Sequence, residues 1–203
     1  MERLSAIIVS RMIVADVISK SDEAEYIYNV QVLLERALSY TIILGVSIIA
    51  RCTIPTILFC LSFAAVRTFS GGYHCDSYIK CLALSTIIAL STGFIFPLIN
   101  MVRSLYQGVV IMSVIIIISI GSINNQNIDW SGQEYRRAKV LARLSVVTIF
   151  VLLLLFEVIS VPDNLCFYIS YGIVVCAISM LFEIRKRGGI AYEGHREESF
   201  EDC

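Results

Sequence analysis

Three long runs without a single charged residue, 81–99, 105–123 and 165–182, constrain this chain more than anything else in it. Each is close to the roughly 20 residues a helix needs to cross a hydrocarbon core about 30 Å thick. A fourth run, 144–162, is as apolar except for Glu157, which falls near one end, where a carboxylate can reach the interface or face protein. In a chain of 203 residues that is 57% hydrophobic and 16% charged, these runs leave lipid as the solvent. The expected fold is therefore an all-α, polytopic membrane protein.

Residues 37–66 are apolar over 30 positions apart from Arg51 and Pro55. One straight helix of that length would reach about 45 Å, too far for a single crossing. Two short crossings fit better, with Arg51 in a tight turn between them, its guanidinium among headgroups, and Pro55 near the start of the second helix. That makes about six spans. The alternative is four spans with 37–66 re-entrant. With six spans and the N-terminus inside, segments 1–36, 67–80, 124–143 and 183–203 share the cytoplasmic side. They hold fourteen of the sixteen lysines and arginines, leaving only Arg51 and Arg103 opposite, the asymmetry expected of cytoplasmic loops.

The chain divides into an N-terminal interfacial or cytoplasmic helical segment (1–36), a transmembrane domain (37–183) and a mobile cytoplasmic tail (184–203). Arg11 and Asp16 interrupt the first apolar run, so the N-terminus is not expected to be a cleaved signal. In the tail, EIRKRGG gives way to the acidic EGHREESFEDC, with too little apolar area to offset the entropy of ordering. His195 and Cys203 belong to that tail and are expected to be solvated. A net charge of −1 and the lack of a basic stripe argue against nucleic acid as a partner. Seven cysteines, several of them in apolar runs, argue against a disulfide framework. With two histidines and no Cys-x-x-Cys, no metal and no cofactor are expected.

The chemistry concentrates in VRTFSGGYHCDSYIKCLALS, Val66 to Ser85. Cysteine attacks as thiolate and is little ionised near neutral pH without a base, so a Cys with a His in reach is a credible nucleophile. His74 and Cys81 supply those parts. On one continuous helix, seven positions would separate them by about 10.5 Å, beyond hydrogen-bond reach, so the helix must be broken between them. Gly71-Gly72 gives the backbone the freedom to do so. Asp76 or Ser77 then caps the helix carrying Cys81 and places the thiol near an N-terminus, where the macrodipole favours an anion. Cys75 is a rival thiol, although side chains adjacent in sequence diverge. Set against these readings, Cys81 can be simple packing, His74 an interfacial anchor and Gly71-Gly72 a plain turn. Arg67 either anchors in headgroups or binds a substrate carboxylate or developing oxyanion.

Arg67, Gly71-Gly72, His74, Cys81 and Ser85 together form Arg-x3-Gly-Gly-x-His-x6-Cys-x3-Ser, which resembles the pattern of the accessory gene regulator B proteins. The similarity extends over nearly the whole chain, including the loop INNQNIDWSGQEYRRAKVLARLS before the fifth span. Two departures are Gly121-Ser122 where the family usually has proline, and Cys75 after the histidine. The resemblance implies a membrane cysteine endopeptidase that processes the precursor of a cyclic autoinducing peptide in Gram-positive quorum sensing. It makes His74 the general base and Cys81 the nucleophile, with Arg67, Gly71, Gly72 and Ser85 in support. The expected substrate is a pro-peptide with an amphipathic leader and an acidic C-terminal tail, facing Arg136, Arg137, Lys139 and Arg143. Setting topology alone is the first reading of those four charges, ahead of contact with substrate. A homodimer in the cell membrane is the assembly implied.

Two other functions compete. A transporter or channel could use ionisable groups near lipid such as Glu157 and Glu183, but no inverted repeat is visible. A non-catalytic membrane scaffold would leave His74 and Cys81 as packing residues.

Overall fold

The computed structural model describes residues 2–73, 75, 77–100, 102–123 and 132–186. They form seven α-helices and one short 3-10 turn: α1 (Glu2–Val14), α2 (Glu23–Ile49), α3 (Thr53–Ser70), α4 (Tyr78–Asn100), α5 (Arg103–Ile120), α6 (Gly132–Val158) and α7 (Asp163–Lys186). The last six are each long and apolar enough to cross a membrane. The all-α, polytopic architecture expected from hydropathy is therefore the architecture found.

The 37–66 run does break at Arg51. Helix α2 ends at Ile49, and α3 restarts at Thr53 with Pro55 in its first turn, where the missing amide hydrogen breaks no helical bond. Arg51 takes a positive φ of 55° and is exposed, so the turn resembles a left-handed helix cap with arginine in place of glycine. The helices overrun the apolar runs in a consistent way. Helices α2 and α6 are 27 residues each, about 40 Å, and their polar opening turns, Glu23–Arg36 and Gly132–Arg143, extend past the apolar part. Helix α2 runs unbroken through position 36. Helix α5 stops three residues short of 123, because Gly121, at φ 76°, turns the chain away.

Helix α1 is a separate element packed on α2. Its fully buried Ser5 and Val9 lie one turn apart on a single face, while Leu4, Ile7 and Val14 are exposed.

Antiparallel connection of the spans gives the bundle two ends. One gathers the start of α2, the loop between α3 and α4, the segment after α5 and the end of α7; it is called the loop end below. The far end carries the α2–α3 turn, the α4–α5 turn and the α6–α7 turn. Helix α7 is the hub: half of its span is buried inside the bundle, against 11–28% for the other five. Its main partner is α3. They approach at Gly172, where a Cβ would come within 2.8 Å of the Phe63 backbone nitrogen and also meet Ser62 Oγ, the close backbone packing that small residues permit between helices in lipid. Val66, Val114, Ile117, Val146, Ile173 and Met180 form the central core. Isoleucines and leucines such as Ile48, Ile87, Leu98 and Leu105 remain exposed on the outside, as a lipid-facing surface requires.

Candidate active site

The helix break needed between His74 and Cys81 is present: α3 ends at Ser70 and α4 begins at Tyr78. His74 and Asp76 lie outside the described residues. Around them the backbone is held by three neighbours. Gly71 donates back to Arg67 O (3.2 Å), Tyr73 N donates to Ser179 O of α7 (3.0 Å), and Ile123 N, beyond α5, donates to Ser70 O (2.9 Å). The loop is thus tied to α3, α7 and the end of α5.

The two glycines are required by this arrangement rather than merely tolerated. Gly71 has φ 66° and Gly72 φ 126°, both in the region that L side chains rarely adopt. A Cβ on Gly71 would collide with the Ile123 carbonyl, and one on Gly72 would collide with the Arg67 guanidinium and come within 2.8 Å of Ser179 Oγ.

Arg67 has a use that neither sequence reading contained. From the last turn of α3 its Nη1 donates to Gly71 O and its Nη2 to Tyr73 O at 2.6 Å. A half-buried planar fork thereby satisfies two carbonyls that the loop takes out of any helix. It is a clamp on the chain segment leading into position 74.

Cys81 occupies the fourth residue of α4. Its amide donates to Ser77 O (3.1 Å), the first i to i+4 bond of the helix, so Ser77 stands at the N-cap position and the thiol ends the first turn. Cys81 is half-buried, and Ser85, also half-buried, shares its face one turn along. Tyr78 docks this turn on α2, with its hydroxyl donating to Glu35 O (3.2 Å) and paired with Ser39 Oγ (3.1 Å). Cys75 is half-buried. The six described cysteines, Cys75 and Cys81 among them, are all free thiols.

The basic residues of α6 separate into two kinds. Arg143 Nε donates to Ile118 O (2.9 Å), capping a C-terminal carbonyl of α5, and Lys139 lies over the Tyr135 ring at 4.8 Å. Arg136 and Arg137 are exposed. Among the described residues no cluster of His, Cys, Asp and Glu could hold a metal ion.

Sequence reasoning missed the contribution of α7. Besides Ser179, buried Cys176 contacts Ser70 Oγ (3.2 Å), Glu183 is 5% exposed, and Lys186 lies 5.4 Å from the Tyr73 ring centre. One signal was available. Glu183 is an ionisable residue at the end of an apolar run, and residues 176, 179, 183 and 186 follow helical spacing.

The fold and this loop define a six-span, all-helical membrane protein with a thiol in the first turn of the helix that follows a clamped glycine turn. The chain belongs to the accessory gene regulator B (AgrB) family, whose profile matches residues 2–182. Membership connects it with quorum-sensing peptide processing. No protein of curated function and no solved structure matches the chain.

Proposed function

We propose that the protein is a membrane-embedded cysteine endopeptidase that cleaves a quorum-sensing pro-peptide and promotes its cyclisation. Cys81 Sγ attacks the scissile carbonyl while His74 takes the thiol proton. The C–N bond breaks, His74 returns that proton to the departing amine, and the N-terminal part of the precursor stays on Cys81 as a thioester. A thiol within the bound peptide then attacks the same carbonyl, Cys81 leaves, and a thiolactone ring closes with the energy of the acyl bond conserved. A serine in that position would give a lactone. Exclusion of water at the membrane boundary favours closure over hydrolysis.

The observation that carries this reading is the position of Cys81, half-buried in the first turn of α4, directly after a loop whose carbonyls are clamped by Arg67. Any two spans need a loop between them; what a scaffold does not need is a loop with two of its carbonyls held by one guanidinium. Arg67, Gly71 and Gly72 shape the loop, and Ser85 lines the same face as the thiol. Exposed Arg136 and Arg137 attract the acidic tail of the precursor, with Lys139 and Arg143 adding charge nearby. The loop end faces the cytoplasm of a Gram-positive cell, together with both termini, in keeping with the positive charge gathered there.

Coexpression with the precursor peptide tests the proposal. Cleavage is expected with wild type and Cys75→Ala and absent with Cys81→Ala and His74→Ala. Undiminished cleavage in Cys81→Ala would remove the mechanism, and loss of cleavage in Cys75→Ala would transfer the nucleophile's role to the neighbouring thiol. Mostly linear product from reconstituted enzyme would defeat the cyclisation step.

A further inference from the structure

At the far end, a cavity of about 270 Å³ opens among α4, α5, α6 and α7, at the opposite end of α4 from Cys81. Its polar and apolar parts are separated along the helices. At the mouth stand Arg103, Glu157 and Asp163, each with a side chain about half exposed. Arg103 Nη1 donates to Asp163 Oδ2 at 2.5 Å, Arg103 Nη2 lies 3.5 Å from Glu157 Oε1, and Gln107 donates to the same Glu157 oxygen at 3.0 Å. Ser170, seven residues beyond Asp163 on α7 and so about 10 Å deeper, lines the inner part together with Phe96, Phe150, Leu153 and Phe167. The inner polar groups are already satisfied by each other, because the Tyr106 hydroxyl and Ser170 Oγ lie 2.9 Å apart. The depth of the cavity is therefore apolar in effect, and the flank at Ile111 and Leu154 is open to the surroundings of the bundle, both residues being 48% exposed.

One guanidinium shared by two carboxylates leaves the mouth with one excess negative charge. This group sits at helix ends, at headgroup depth, above an acyl-compatible slot near the lower limit of roughly 300 Å³ for small-molecule sites. We infer that the cavity is a binding site for a zwitterionic aminophospholipid: Glu157 and Asp163 take the primary ammonium, Arg103 takes the phosphate, and the start of an acyl chain fills the aromatic slot. A phospholipid with an uncharged alcohol headgroup offers the phosphate alone to a cluster that is already net negative, and is disfavoured. The volume suits a headgroup and the upper part of one chain, with the remainder leaving along Ile111 and Leu154 into the bilayer.

Native mass spectrometry of the full-length protein, released from mixed micelles containing equal phosphatidylethanolamine, phosphatidylglycerol and N-acetylated phosphatidylethanolamine, tests the site. One phosphatidylethanolamine per chain is expected to survive, preferred over phosphatidylglycerol and over N-acetylated phosphatidylethanolamine, which has lost the ammonium. Glu157→Gln combined with Asp163→Asn is expected to reduce the preference by about fivefold, the size of a half-exposed charge contact. Ile111→Trp, at a wall position that is already half exposed, is expected to lower retention of the lipid without changing the charges. Equal retention of the three lipids by wild type overturns the inference, and that comparison needs no variant to fold. A preference unchanged in the double variant also overturns it.

Discussion

The two ends of the bundle are held by different means. At the loop end the contacts that matter are to the backbone: Arg67 on two carbonyls, Tyr73 N on Ser179 O, Ile123 N on Ser70 O, and two glycines at positive φ. At the far end they run between half-exposed side chains, Arg103 with Glu157 and Asp163. Backbone contacts depend on shape and fail when an atom is added or a donor is moved. Exposed ion pairs contribute about 0–1 kcal/mol and tolerate change. The difference suits the proposed function, in which the loop end holds reacting groups in place and the far end meets lipid headgroups.

Substitutions can break or sharpen that contrast. The largest effect is expected from Cys81→Ala: cleavage of the precursor falls to background in a coexpression assay, with the helical circular dichroism of the purified protein unchanged. Gly71→Ala comes next. The positive φ costs roughly 1–3 kcal/mol by itself, and the Ile123 carbonyl leaves no room for the methyl group. At least tenfold slower cleavage with a lowered unfolding temperature in detergent is expected, and wild-type values for both would show that the loop does not need this shape.

Arg67→Lys keeps the charge but loses the fork, leaving at least one carbonyl without its donor at about 1–3 kcal/mol. Cleavage is expected to slow by about tenfold or more, and a rate equal to wild type would mean that charge alone serves. Arg136→Gln with Arg137→Gln is expected to raise KM a few-fold at low salt with kcat unchanged, the difference fading as the Debye length shrinks towards about 8 Å at physiological ionic strength. The smallest change belongs to the far end. Arg51→Gly relieves a positive φ of 55° in an exposed turn, so a stability gain of up to about 1 kcal/mol is expected, read as a small rise in unfolding temperature with unchanged cleavage.

Lipid made the fold legible. A helix that crosses the bilayer must announce itself as an uninterrupted apolar run, so six spans and the break at Arg51 could be read from composition and length. What hydropathy cannot see is helix outside the hydrocarbon. For that reason α6 begins at Gly132 rather than near 144, and α2 at Glu23 rather than near 37. The site was legible only as chemistry: a thiol, an imidazole and a need for a broken helix. That Arg67 would turn inward onto Gly71 and Tyr73, and that α7 would supply Ser179 from more than a hundred residues away, depends on how α3 and α7 pack at Gly172. No local pattern records that packing. His74 itself, with the loop 124–131 and the tail from 187, which includes His195 and Cys203, lies outside the described residues.

The hold of Ser179 on Tyr73 also has a consequence for biosynthesis. Translation delivers the Cys81 thiol early and the support of its neighbouring loop last. Cys81 leaves the ribosome about a hundred residues before α7 does, and Ile123 follows only after α5 is complete. A nascent chain halted before the sixth span would therefore carry the thiol without a shaped loop. On the proposed function, competence would therefore arrive only with the final helix, once α7 brings Ser179 O to the Tyr73 amide.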